Sequence, residues 1–396
     1  MKRIVFLLLI FPACLWGYDF GINLNQDLGF EGIGSESEAD YTAALVPYFS
    51  TSFGDSTNLY ISAWIKAVYE YEEFACIGEL LHTEFSWRSN DFKIRVGRIP
   101  YTAPLDFIVE GFFDGVQALY DTKIGTFYIG GWYTGLLYKR TANITMTPED
   151  YISYYTALDY GNFADTYFAS RRILLAAGWE NPAIADMVRL KTSVLGQFDL
   201  NDTDLPYDSM YITAKAAIPI KRFVVSAGGC MQFAKFNNET GVGLAGELGG
   251  AFVLPSSFYS RLSLIGRFGS GKTDSLYPFV PITVKPQGNV LQAGLSGISA
   301  FFLDYTAQLH PTVSAGLTAS YFIRGDEGYY AVYPVMNPGD GGQALGCEFF
   351  GRTVWSPFTD LSLSLGAGIF LPSLGNANKK AGTEWRLELG VILVLY

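Results

Sequence analysis

The chain is short of charge, histidine and long apolar runs. Of its 396 residues only 16% are charged, against about a quarter in soluble domains. His82 and His310 are the two histidines, too few and too far apart to build a histidine zinc site. The four cysteines, Cys14, Cys76, Cys230 and Cys347, lack metal-ligand spacing. Three of them follow the leader, an odd number that argues against a disulfide framework. Beyond the N-terminus no apolar run reaches the length of a membrane-spanning helix. The net charge of −11 argues against a nucleic-acid partner. The Gly-rich stretch 266–272 lacks Walker spacing, and no Ser-His-Asp set surrounds a nucleophile motif. The expectation is a protein that is not an enzyme and holds no metal or cofactor.

What the chain does have is 16% aromatic residues and 43 glycines. It also ends in an alternating segment. In residues 384–396, Trp385, Leu387 and Leu389 fall on one face of a strand, and Glu384, Arg386 and Glu388 on the other. A helix would scatter these residues, whereas a strand separates them. The phase breaks after Gly390: Ile392, Val394 and Tyr396 share the parity of Glu388. Either a bulge shifts the register near Gly390 or the last turn is apolar on both faces.

This terminal strand, ending on an aromatic residue, resembles the closing strand of bacterial outer-membrane β-barrel proteins. The resemblance implies recognition of the strand by the barrel-assembly machinery. A second stretch, "VGR" at 96–98 followed by a loop with Pro and Asp and a returning "DGV" at 114–116, is similar to strand–loop–strand units of porin-like channels, the substrate-specific and alginate-export types among them.

The rest of the chain carries the same pattern. Residues 1–17 have a basic n-region and a short apolar core, as an export signal does. Residues 11–14 weakly resemble a lipobox, so lipidation at Cys14 stands beside an ordinary cleaved leader. From residue 18 to 396 amphipathic strands follow one another. Ile61, Ile65 and Tyr69 oppose Lys66 and Glu70; Val188, Leu190, Val194 and Phe198 oppose Arg189, Lys191, Ser193, Gln197 and Asp199. Long strands are expected over 124–138 and 290–309. Even-numbered strands end in short turns and odd-numbered ones in longer connections, the longest at 139–170, 269–287 and 325–342. The expected fold is an all-β, transmembrane, up-and-down antiparallel barrel of about 18 strands, with 16 as the alternative.

A barrel of that size leaves an aqueous lumen. The expected function is a porin-type outer-membrane channel for passive diffusion of small hydrophilic solutes. The alternatives are an outer-membrane transporter of hydrophobic substrates and a surface-exposed adhesin or structural barrel. Arg or Lys at mid-bilayer on the lipid face costs roughly 2–4 kcal/mol. Lys93, Arg95, Arg189, Lys191, Lys215, Arg261 and Arg267 are therefore expected to line the pore. They would face Glu70, Glu84, Glu247 and Asp304 and set a transverse field that orients polar or anionic solutes. A structural ion-pair network is the plainer reading of any one of them. The 139–170 connection, with Glu149, Asp150, Tyr154, Tyr155, Asp159, Tyr160 and Asp165, is expected either to fold inward as a constriction or to cap the mouth. Partners are outer-membrane lipid and small solutes; the sequence carries no sign of an oligomeric state.

Overall fold

The strands place apolar residues on one face and polar residues on the other, the period-two pattern of a barrel with an apolar exterior. The computed structural model describes residues 18–395 except 71–72, 186, 204, 237–238, 326–341 and 378–380. The expected leader 1–17, the aromatic Tyr396 and most of the connection 325–342 lie outside that set.

Eighteen strands are present: β1 (Tyr18–Ile33), β2 (Glu36–Phe53), β3 (Thr57–Glu70), β4 (Glu73–Ser89), β5 (Phe92–Thr102) and β6 (Glu110–Thr122). They continue with β7 (Gly125–Tyr133), β8 (Arg172–Ile184), β9 (Val188–Asp199), β10 (Tyr207–Ile220), β11 (Phe223–Phe236) and β12 (Glu239–Val253). The last are β13 (Arg261–Gly269), β14 (Ile298–His310), β15 (Val313–Arg324), β16 (Ala344–Phe358), β17 (Leu361–Leu371) and β18 (Glu384–Leu395). Each pairs antiparallel with its sequence neighbours, and β1 pairs with β18, so the sheet closes on itself. Closure removes the free edges of the sheet, which hydrocarbon could not satisfy.

The two faces follow the expected alternation. On β3 Ile61, Ile65 and Tyr69 are exposed on the outside, while Ser62 on the inside is buried. On β9 Val194 and Phe198 are exposed outward and Ser193 and Gln197 are buried inward. The β1–β18 register runs unbroken, pairing Asn25 with Ile392 and Asn23 with Val394. Gly390 therefore makes no bulge; Ile392 and Val394 lie on the inner face with Arg386 and Glu388. The end of β18 is apolar on both faces.

Three expectations need correction. The connection at 34–35 is only two residues, and so is the spacing between β3 and β4 and between β11 and β12; these strands rise as long hairpins instead of ending in loops. On the other rim, β12 and β13 are joined by seven residues, 254–260. The segment 290–297 is not strand. Its alternating Leu291, Ala293 and Leu295 are buried inside the barrel together with Val290, and the backbone N–H groups of Asn289, Val290 and Leu291 donate to the Glu348 carboxylate at 2.7, 3.0 and 3.0 Å. The connection thus runs over 270–297. Likewise β7 stops at Tyr133, so the longest connection spans 134–171 and holds α1 (Lys139–Ala142), α2 (Pro148–Tyr155) and α3 (Phe163–Tyr167).

Candidate functional site

Three connections converge in the lumen. The run 103–109 is apolar apart from Asp106, and Leu105, Phe107, Ile108 and Val109 are fully buried. They pack with Ile144 and Met146 of the longest connection, Phe279 and Ile282 of the 270–297 loop, and Trp132, Leu174, Leu195 and Tyr211 of the barrel wall. Burial of such side chains, roughly 1.5–3 kcal/mol each, holds irregular backbone inside a wet barrel. Backbone bonds tie the loops together: Ile282 N–H donates to Ile108 O at 2.7 Å and Val284 N–H to Asn143 O at 2.9 Å. Gly228 permits the approach, since a Cβ there would lie 2.6 Å from Leu105 Cδ2.

Against this packed mass lies a row of charge. Cross-strand pairing aligns Glu180, Lys191, Lys215, Gly228, Glu247 and Arg267 on neighbouring strands. Glu247 accepts from Lys215 at 2.8 Å and from Arg267 at 2.8 Å. Arg267 lies 3.8 Å from Asp106 of the 103–109 loop. Lys285 of the 270–297 loop reaches Asp106 at 2.5 Å and Glu110 at 2.9 Å. Burial pushes the Asp106 carboxyl up, but the bond and charge of Lys285, with Arg267 and Lys215 behind it, outweigh this and hold it below its ordinary value. Burial likewise pushes Lys285 down, and its two carboxylate partners more than reverse this, leaving it above its ordinary value.

A second cluster occupies the inner wall at β4 and β5. Arg95 grips Glu84 with two bonds, 2.9 and 2.6 Å, and donates to Gln117 at 3.1 Å. Lys93 and His82 stand 3.9 and 3.2 Å from the same carboxylate. A third lies where the sheet closes: Arg386 pairs with Glu31 at 2.9 Å and Glu388 at 2.8 Å.

Beside the second cluster the wall itself parts. β5 pairs with β4 only as far as Arg98 opposite Thr83. Gly97 turns there with φ +123°, and a Cβ on it would sit 2.2 Å from Thr83 O. Arg98 fills the opening: its guanidinium donates to Asp114 at 3.1 and 2.8 Å, to Glu79 at 3.3 Å, and to the carbonyls of Leu80 at 2.5 Å and Leu136 at 3.2 Å.

The residues singled out in the sequence are thus divided among several places. Glu84, Lys93 and Arg95 come together, as do Lys191, Lys215, Glu247 and Arg267. Arg189 and Arg261 are exposed and make no ion pair among the described residues. Asp304 accepts from Thr318 at 2.8 Å. The Glu70 side chain lies outside the described set.

Both ends of the long connection enter the packed interior, the first through Leu137, Ala142, Ile144 and Met146 and the last through Ala169. Asp150 is buried. It accepts from the backbone of Met146 and Thr147 at 3.0 Å each, from the Ser170 hydroxyl, and from Arg172 at 2.6 Å. Tyr160 Oη bonds the backbone N–H and carbonyl of Cys76 at 2.8 and 3.0 Å, on the part of β4 that β5 has left. Glu149, Tyr155, Asp159 and Asp165 are exposed, and Tyr154 packs edge-on against Tyr155 with ring centroids 5.0 Å apart.

Sequence reading missed Asp106, Glu110 and Lys285. The available signal was the run 105–109, apolar around a single Asp106, in a connection otherwise expected to be solvated.

No family model and no curated protein matches the chain. Solved structures do. OccK2 (OpdF) of Pseudomonas aeruginosa superposes with a TM-score of 0.64 at 11% identity, covering 96% of this chain and 98% of that one. A BenF-like porin from Pseudomonas fluorescens Pf-5 gives 0.62 at 9% identity, with 96% and 100% covered. OprD of Pseudomonas aeruginosa gives 0.59 at 14% identity, with 97% of each chain covered. The chain shares the barrel fold of these porins over nearly its whole length.

Proposed function

We propose that this chain is an outer-membrane channel for the passive diffusion of small hydrophilic solutes. One observation carries the reading: a closed barrel with an apolar exterior encloses a lumen narrowed by loops whose free surface is charged. Eighteen strands are enough for an aqueous passage, and a hydrophobic exterior needs acyl chains as solvent. The ion pairs of Glu247, Arg267, Asp106 and Lys285 present both signs at the narrowing. A fixed field of that kind orients polar or anionic solutes as they pass. A side exit for hydrophobic cargo would use the parting of β4 and β5, but Arg98 occupies it. Residues 1–17 supply the export signal on this reading, and β18 is the segment offered to the assembly machinery.

Liposome swelling tests it. Vesicles carrying the protein should swell in isotonic sugars and amino acids at rates that fall with solute size. Swelling no faster than protein-free vesicles, with the barrel folded, contradicts the proposal.

A further inference from the structure

The main cluster of the loop mass takes none of its buried residues from β1–β3; Val68 near the end of β3 packs against Tyr138 and Tyr167 of the long connection, and Tyr48 and Tyr60, nearer the other end of the wall, belong to neither cluster. Tyr48 lies flat across the neighbouring strand, where a Cβ on Gly21 would meet its ring at 2.5–2.6 Å. Its ring is nearly parallel to that of Tyr60, at 12° and a centroid separation of 6.3 Å. Tyr60 in turn meets His82 at 4.7 Å. Small residues stand opposite these rings on the paired strands: Ser62 faces Tyr48 and His82, and Ser50 faces Tyr60. Both tyrosines remain half-buried, each with a surface toward the water.

Unsatisfied polar atoms lie beside them on the same wall. The carboxamide oxygens of Asn23 and Asn25 and the indole N–H of Trp64 are buried without a hydrogen-bond partner. Lys66 makes no ion pair among the described residues; its ammonium rests 3.2 Å from the centre of the Trp64 ring. Buried polar groups without partners are rare and costly. Amide groups turn readily about their last torsion, so the two asparagines can present their oxygens to the passage.

Resting on the channel reading, we infer that the inner wall of β1–β3 is a binding seat for a pyranose ring. The C–H face of a sugar packs on an aromatic face as other apolar surfaces do. Its hydroxyls both donate and accept, matching the Asn23 and Asn25 oxygens on one side and the Trp64 and Lys66 donors on the other. No single group here selects a sugar; the combination of flat rings, acceptors and donors within one three-strand patch does.

The test is block of single-channel current by glucose in planar bilayers, with glycerol as a hydroxylated solute that has no ring. Glucose should reduce the current saturably and glycerol should not. Tyr48→Ala and Tyr60→Ala should each raise the half-blocking concentration by roughly threefold to tenfold, while Tyr60→Phe, which keeps its ring, stays near wild type. Glucose block no stronger than that of glycerol, or block unchanged in both alanine variants, overturns the seat and leaves the channel standing. A folded barrel that passes no current at all overturns the channel as well.

Discussion

Arg172 shows how much of the interior depends on single charges. It is fully buried, 2.6 Å from Asp150 and 3.2 Å from Asp199, and joins the long connection to β8 and β9. Truncation to alanine leaves two buried carboxylates without their cation, which costs about 3–5 kcal/mol. The expected outcome for Arg172→Ala is a lower unfolding temperature, read by the loss of heat-resistant migration on gels; wild-type resistance would show that the triad is dispensable. Such a residue was not legible as structural in the sequence. Its partners lie 22 and 27 positions away, and an arginine at the start of a strand looks the same whether it lines a pore or pins a loop. Gly97 was hidden for a similar reason: as the middle residue of "VGR" it reads as strand, and only the positive φ shows that the wall parts there.

At the scale of an element, the loop 270–297 is held by Glu348 at one point and by the Asp106–Lys285 pair at another. The pair sets a pH window. Asp106 is depressed from 3.8, so its contribution is complete above 3.8 and is lost as pH falls through its lower folded value. Lys285 is raised from 10.5, so its contribution is complete below 10.5 and is lost as pH rises through its higher folded value. Between those limits the pair should not disturb conductance, and Lys285→Met should change ion preference throughout the window by freeing Asp106 and Glu110. An unchanged reversal potential in Lys285→Met under a salt gradient would show that these carboxylates do not face the permeating ions.

The long connection makes a different prediction. Its two ends pack in the lumen, and its middle covers the edge of β4 left by β5 through Tyr160 and Tyr167. Replacing residues 152–163 with a flexible linker, which keeps Asp150 but removes Tyr160, should raise amide hydrogen exchange over 74–78 with little change in conductance. A large rise in conductance would place the helices in the passage. This division between lining and cover could not be read from the sequence, where tyrosines and acidic residues suit either role. The alternation of 290–297 misled for the opposite reason, because apolar residues packed inside a barrel repeat as they do on a strand.

For the whole molecule, the sequence pattern was enough to specify the barrel. Period-two alternation and an amphipathic last strand each point to the same arrangement: an apolar exterior and a polar interior. The lumen was far less legible, because its narrowing is made by residues such as Asp106 and Lys285, brought together across 179 positions. Most of the charged pairs were visible as inward-facing residues, though not as pairs. The most direct test of the central claim is the single-channel current of refolded protein in planar lipid bilayers. The account predicts discrete, ohmic conductance steps from a heat-resistant folded barrel; a folded barrel that inserts and conducts nothing, or a mature chain that stays in solution without detergent, would contradict it.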